Sequence, residues 1–288
     1  MPIPVSPSGM PLRELLQQAL LEDVGDGDHT SLSTVHPDHQ SVGHVRAKQD
    51  GVIAGVEVAL LVSELVDKNI IADVRVQDGT YVTSGTDILF LQGHTQSLLK
   101  AERLLLNCMQ RMSGIATMTR QFTAAVKGTN CRILDTRKTT PNFRLLEKWA
   151  VRIGGGTNHR YGLFDMILIK DNHVDAAGGI IQAIHNANAY LIKTGKQLPI
   201  EIETRNMEEV RDALSTRAVQ RIMLDNFSPE DLAAAVQLIN NQTETEASGG
   251  INLSTAQSYA ATGVDFLSVG ALTHSYVSMD ISMKIKTV

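Results

Sequence analysis

The residues able to do chemistry fall in short polar stretches, each following an apolar run. Asp135-Thr136-Arg137-Lys138-Thr139-Thr140 follows Ile133-Leu134, and Lys170-Asp171-Asn172-His173 follows Met166-Ile167-Leu168-Ile169. Glu201 and Glu203 alternate with Ile200 and Ile202. Asp225-Asn226, Ser248-Gly249-Gly250 and Ser268-Val269-Gly270-Ala271 close three later runs, and Gly154-Gly155-Gly156-Thr157-Asn158-His159-Arg160 precedes the second.

These stretches sort into three chemistries. Arg137, Lys138, His159, Arg160 and Lys170 form a cationic set suited to a small dianion, because guanidinium forks grip carboxylates through two hydrogen bonds while an ammonium acts as a point charge. Glu203 and Asp225 are carboxylates that can accept hydrogen bonds from sugar hydroxyls or hold Mg²⁺ through water. Ser248, Gly249, Gly250, Ser268 and Gly270 expose backbone N–H groups with little side chain in the way, which suits a phosphate. Each piece also has a bland reading. Arg137-Lys138 alone is a solvated turn, a glycine pair alone is a turn, and Glu201 or Glu203 can serve as structural partners for the cations. Lys170 is less easily dismissed, since a lysine ending a buried strand is costly unless it is paired or functional. Together the set describes a sugar phosphate meeting a small acid. His173, His185 and His274 lack a metal-ligand spacing and read as surface or structural residues.

The elements that must position these groups change character along the chain. Leu12, Leu15, Leu16, Ala19 and Leu20 recur at helical spacing and predict a helix over 11–22, followed by a loop over 23–38 rich in Asp, Gly, Ser and His. Strands are predicted at 44–48, 52–54, 71–76 and 88–92, with a helix over 56–66. Residues 76–93 look like the hammerhead of biotinyl or lipoyl carriers. The lysine such carriers modify is absent, so the segment reads as a structural hairpin. Residues 95–127 are helical, interrupted near Ser113-Gly114, with Gly128 as the stop.

Beyond Gly128, strand starts fall near 132, 165, 199, 221, 243 and 265, the last four 22 residues apart. Regular spacing with helical stretches between is the mark of repeated β/α units on a parallel sheet. Asn206 followed by Glu209, Ser228-Pro229, Gly195 and Gly263 supply helix starts and stops. A β/α barrel and an open doubly wound sheet both fit. The barrel is favoured because polar chemistry follows nearly every strand, as at the carboxyl mouth of a barrel.

The 288 residues suffice for a large domain or two smaller ones. Composition is that of an ordinary globular protein, 43% hydrophobic and 20% charged. A net charge of -5 and 4% aromatics argue against a nucleic-acid binder. Cys108 and Cys131 form no metal or disulfide pattern and read as buried thiols in a reducing compartment. The first ten residues carry three prolines and no signal-peptide pattern, and no apolar run is long enough to span a membrane, so the cytoplasm is expected.

The blocks AERLLLNCMQRMSGIAT (101–117), LDTRKTTPNFR (134–144), GGGTNHRYGL (154–163), MILIKDNH (166–173), IEIE (200–203), MLDNF (223–227), EASGGI (246–251) and LSVGALTHS (267–275) resemble the quinolinate phosphoribosyltransferase family in the family's order. The resemblance implies an α/β chain: an N-terminal open α/β sandwich over 1–113, joined by 273–288, and an incomplete β/α barrel over 114–272. It implies transfer of phosphoribosyl from phosphoribosyl pyrophosphate to quinolinate with decarboxylation, to give nicotinate mononucleotide. It further implies a homodimer or larger even assembly in which Arg103 reaches a neighbouring site. By motif, Arg137, His159, Arg160 and Lys170, with Arg103, would bind the two carboxylates of quinolinate. Lys138 would lie between quinolinate and pyrophosphate, and Lys138, Lys170, Glu203 and Asp225 would be the catalytic set. Glu203 and Asp225 would bind the ribose hydroxyls and Mg²⁺, and Ser248, Gly249, Gly250, Ser268 and Gly270 the 5′-phosphate. Thr204-Arg205-Asn206 departs from the family pattern, and the interval from Glu203 to Asp225 is one residue longer than expected. Other readings are a Schiff-base aldolase using Lys170, a pyrophosphorylase-like protein of metal-transport operons, an enzyme acting on nicotinate, and a sugar-phosphate sensor without turnover.

Overall fold

The computed structural model describes residues 7 and 9–287. The reading that no signal peptide is present rests on residues that mostly lie outside these. The described chain forms two compact units: one runs up to Arg120 and includes Thr139–Gly155 and the chain from Leu272 on, and the other comprises Gln121–Lys138 and Gly156–Ala271.

The first unit opens with helix α1 (Leu12–Val24), whose Leu12 and Leu16 are buried. The short helix α2 (His29–Thr34) follows, where the sequence predicts only loop. Its cause is local: the Asp28 carboxylate accepts the Ser31 backbone N–H at 3.1 Å, a capping bond that satisfies an otherwise orphaned donor. Then come β1 (Gln40–Ala47), β2 (Gly51–Val52), α3 (Val56–Val66), β3 (Ile71–Val74), β4 (Tyr81–Val82) and β5 (Asp87–His94). Alternating burial along β1 and the run of apolar residues in β5 fit a sheet with one covered face. β4 pairs with β2 and β5 with β1 and β3, so the predicted hairpin is not one; its two arms belong to different sheets.

Helix α4 (Thr95–Ala125) runs uninterrupted through Ser113-Gly114, against expectation. The pair serves packing. The Ser113 hydroxyl donates to the Ala54 carbonyl at 3.1 Å and accepts its N–H at 2.9 Å. A side chain at Gly114 would collide with the Val277 backbone, so glycine is needed there for close approach. No described helix is long and apolar enough to cross a membrane.

The second unit begins its sheet with β6 (Arg132–Leu134); α5 (Arg144–Ile153) belongs to the first unit. β7 (Ile167–Ile169), α6 (Asp171–Ala177), α7 (Ile180–Thr194), β8 (Ile200–Thr204), α8 (Met207–Thr216), β9 (Arg221–Asp225), α9 (Pro229–Ile239), β10 (Glu244–Ser248), α10 (Ala256–Ala260), β11 (Phe266–Ser268) and α11 (Ala271–His274) alternate as the spacing predicts. The strands lie in the order β6-β11-β10-β9-β8-β7, all parallel. β6 and β7 stay unpaired with each other, so the barrel is open. Asn206 caps α8 by accepting the Glu208 and Glu209 N–H groups at 3.0 Å, and Ser228 caps α9 with Pro229 behind it. A final strand, β12 (Ile281–Thr287), pairs with β1 to give the first unit's sheet its order β12-β1-β5-β3.

Period-two alternation decides what each face of the parallel sheet offers. Ile202, Ile222, Leu224 and Leu267 are fully buried, each contributing about 1.5–3 kcal/mol. Glu201, Arg221, Glu246 and Ser268 take the opposite face, where they meet one another.

Candidate active site

A cavity of about 320 Å³ opens among the polar strand ends of the second unit. Arg137, Lys138, His159, Arg160, Lys170, Ser248 and Ser268 line it, as the sequence predicts. Thr136, Leu168, Met223 and Glu246 complete the wall and were not foreseen as site residues. Glu203, Asp225, Gly249, Gly250 and Gly270 do not line it. Arg103 lies in the first unit, exposed on α4.

The loop carrying His159 and Arg160 is fixed by Asp135 at the end of β6. Its buried carboxylate accepts the His159 backbone N–H at 2.8 Å and the Asn158 side-chain N–H at 2.5 Å. The Thr157 backbone N–H donates to the Ile133 carbonyl at 2.8 Å, so the loop lies along the free edge of β6. Arg160 is anchored by donating to the Met166 carbonyl at 3.2 Å. Burial and the neighbouring Arg137 guanidinium lower the Arg160 pKa. Two like charges held together in a recess are relieved by an anion.

His159 is buried, with Nε2 3.0 Å from Glu201 and 3.5 Å from Glu246. Burial works against the charged ring, but the two carboxylates outweigh it and hold its pKa at about 9. The Arg160 backbone N–H donates to Nδ1 at 2.6 Å, which only the neutral ring can accept. Magnitudes decide between them. The hydrogen bond contributes on the order of 1 kcal/mol, and the net raising of the ring's pKa from 6.5 to about 9 corresponds to roughly 3 kcal/mol, so the balance favours the charged ring at neutral pH. Glu201 is pushed up by burial and by the facing Glu246.

Lys170 is half exposed, follows a strand that is only partly buried, and stands 3.6 Å from Glu203. The cost expected of a lysine ending a buried strand is therefore small. His173 accepts the Lys170 backbone N–H at 3.0 Å, a local structural role. Arg205, in the segment that departs from the family pattern, is exposed and paired with Asp175 at 3.1 Å and Glu209 at 2.7 Å. Burial and repulsion from Asp225 and Asp171 raise the Glu203 pKa against the pull of Lys170. Mutually repelling carboxylates form a donor set that a hard divalent cation relieves, so these residues fit Mg²⁺.

The turn after β10 interlocks with the turn after β9. Asn226 donates its N–H to the Ser248 carbonyl at 2.8 Å, and its side chain donates to Asp225 at 2.6 Å. Gly249, at φ +99°, leaves no room for a side chain against Asn226. The Ser268 hydroxyl donates to Glu246, so what Ser268 offers a phosphate is its backbone.

Residues 115–284 match the C-terminal-domain model of quinolinate phosphoribosyl transferase, and residues 28–113 match the N-terminal-domain model. The chain belongs to the quinolinate phosphoribosyltransferase family. It is 45% identical over 291 residues to quinolinate phosphoribosyltransferase [decarboxylating] 2, mitochondrial, of Nicotiana glauca, covering 96% of this chain and 82% of that protein. It is 41% identical to the probable nicotinate-nucleotide pyrophosphorylase [carboxylating] of Bacillus subtilis, covering 95% and 93%. The crystal structure of NadC from Streptococcus pyogenes superposes with a TM-score of 0.90 at 38% identity, covering 95% of each chain. Human nicotinic acid phosphoribosyltransferase, at 10% identity and a TM-score of 0.62, shares the fold.

Proposed function

We propose that this phosphoribosyltransferase-family protein joins quinolinate to phosphoribosyl pyrophosphate in the cationic cavity of the second unit. It releases pyrophosphate and carbon dioxide to give nicotinate mononucleotide, a step of de novo NAD biosynthesis. The observation that carries the reading is the gathering of Arg137, Lys138, His159, Arg160 and Lys170 around one cavity in a chain of net charge -5. A ligand with two carboxylates balances that charge; nicotinate, with one, leaves more of it unpaired.

Arg137, Arg160, His159 and Lys170 hold the two carboxylates and turn the ring nitrogen toward the anomeric carbon. Arg103 joins them from a second subunit in a homodimer or larger even assembly. The nitrogen displaces pyrophosphate through a transition state with oxocarbenium character, whose positive charge Glu203 and Asp225 stabilise while they hold the ribose hydroxyls. Lys138, between the two substrates, attracts the departing pyrophosphate. Glu203 and Asp225 would hold Mg²⁺, which neutralises charge on the leaving group when bound. Backbone N–H groups at Ser248, Gly249, Gly250, Ser268 and Gly270 cradle the 5′-phosphate. With the ring nitrogen quaternised, the adjacent carboxylate departs as carbon dioxide and a proton takes its place on carbon. Much of the rate comes from holding together two anions that otherwise repel. The buried free thiols Cys108 and Cys131 support a reducing compartment such as the cytoplasm.

Release of labelled carbon dioxide from carboxyl-labelled quinolinate, dependent on phosphoribosyl pyrophosphate, tests the reading. Arg137→Ala is expected to raise the quinolinate KM and lower kcat/KM by about 2–4 kcal/mol of transition-state binding, the scale of a broken charge-assisted pair. Wild-type kinetics in that variant, or no labelled gas from the native protein, refutes it.

A further inference from the structure

A charge cluster that the reaction does not consume runs inward from the cavity wall at His159 and Glu246. Glu201 on β8 and Glu246 on β10 are fully buried, and Arg221 on β9 is nearly so. Arg221 Nη1 stands 2.9 Å from Glu246 and 3.9 Å from Glu201, and His159 Nε2 completes the set. Two carboxyl groups, one guanidinium and one imidazole ring meet there.

Burying these charges costs several kcal/mol per ion, and well-packed apolar side chains of similar volume often serve stability as well or better. Stability alone therefore does not account for the cluster, and its geometry shows what it governs. Glu246 accepts the Ser268 hydroxyl, which fixes its rotamer. Arg221 is steadied by Glu244 at 2.8 Å and lies 4.2 Å over the Phe266 ring. His159, Glu201 and Glu246 could also be read as a metal triad, their ligand atoms lying within 4.8 Å of one another. The guanidinium already supplies the cation at that spot.

Resting on the phosphoribosyltransferase reading, we infer that Glu201, Arg221 and Glu246 are positioning residues that act through His159, holding its ring fixed and charged at the floor of the dicarboxylate pocket. Glu201 from β8 and Glu246 from β10 meet the ring, Arg221 from β9 meets both carboxylates, Arg160 follows along the chain, and Asp135, just past β6, holds the His159 backbone N–H. Since the Arg160 amide meets the ring, a displaced His159 also moves the guanidinium that follows it.

The test is Glu246→Gln, nearly equal in size but without the charge. The expected result is a 10- to 100-fold lower kcat/KM for quinolinate, the scale seen when an outer partner of a binding group is removed, with the phosphoribosyl pyrophosphate KM within about twofold of wild type. The alkaline limb of the quinolinate kcat/KM profile, near pH 9 in the wild type, is expected to move toward 7. In a His159→Asn background the added Glu246→Gln change is expected to do nothing further. An unmoved pH profile, an equal loss toward both substrates, or additive losses in the double variant overturns the inference. If Glu246→Gln does not fold, ¹⁵N-histidine NMR of the wild-type protein decides. Both His159 ring nitrogens protonated at pH 7.5 supports the inference, and a neutral ring overturns it. A wild-type protein without activity refutes the proposed function instead, and the NMR result stands apart from it.

Discussion

Stability of the second unit should depend on pH through His159. The ring titrates near 6.5 in an unfolded chain and at about 9 here. Because the folded value is the higher one, the stabilisation is fully present below pH 6.5 and is lost as pH rises through 9. That span corresponds to roughly 3 kcal/mol. The assay is urea unfolding followed by circular dichroism at several pH values between 6 and 9.5, for the wild type and His159→Asn. Differencing the two removes the groups that do not touch His159 and leaves the ring together with its partners Glu201 and Glu246. The wild type is expected to lose about 3 kcal/mol more than the variant across the range. Parallel curves would refute the reasoning, since they would mean that the carboxylates do not hold the proton on the ring.

Gly249→Ala is expected to raise the phosphoribosyl pyrophosphate KM about tenfold with little change for quinolinate. The side chain would push Asn226 off Asp225 and add backbone strain of about 1–2 kcal/mol; steady-state kinetics with each substrate varied checks it. Chelation with EDTA should abolish activity and added Mg²⁺ restore it, and Glu203→Gln should demand about tenfold more Mg²⁺ for half-maximal rate, read from titration curves. Mixing inactive Arg103→Ala with inactive Arg137→Ala should regenerate about a quarter of wild-type activity per random dimer if sites are shared across subunits; no recovery in the mixture rules out the shared arginine.

Much of the fold was legible because its signals are local. The 22-residue spacing reflects one strand, one helix and two turns, each set by nearby residues, and helix caps such as Asn206 and Ser228 act within three residues of themselves. What failed depended on distant partners. Strand β4 is two residues long and is held by its pairing with β2, so no periodicity could announce it, whereas the strand expected over 52–54 overlaps β2 at Val52. The predicted break in α4 shows the same limit from the other side. Ser113 and Gly114 are poor helix formers, but Ala54 and Val277 occupy the space that a larger pair would fill.

The site divides along the same line. The cavity's cations were visible because each sits at a strand end or in a loop beside apolar runs, where a charge has no packing purpose. Of their buried counter-charges, Glu201 was foreseen as a possible structural partner, while Arg221 and Glu246 were not. Glu201 and Glu203, two residues apart, look equivalent in sequence, yet one meets His159 in the interior and the other meets Lys170 near the surface. Arg221 reads as the first residue of a strand, and Glu246 as part of a glycine turn. They become neighbours because parallel register sets Glu201 beside Arg221 and Arg221 beside Glu244, two residues from Glu246 on the same face, bringing together residues twenty or more positions apart. A sign was present: unpaired carboxylates in strands otherwise made of Ile, Leu and Ala are too costly to bury without cations opposite. Following that cost from strand to strand leads from Glu246 to Arg221 and His159, the groups that Glu246→Gln is designed to unbalance.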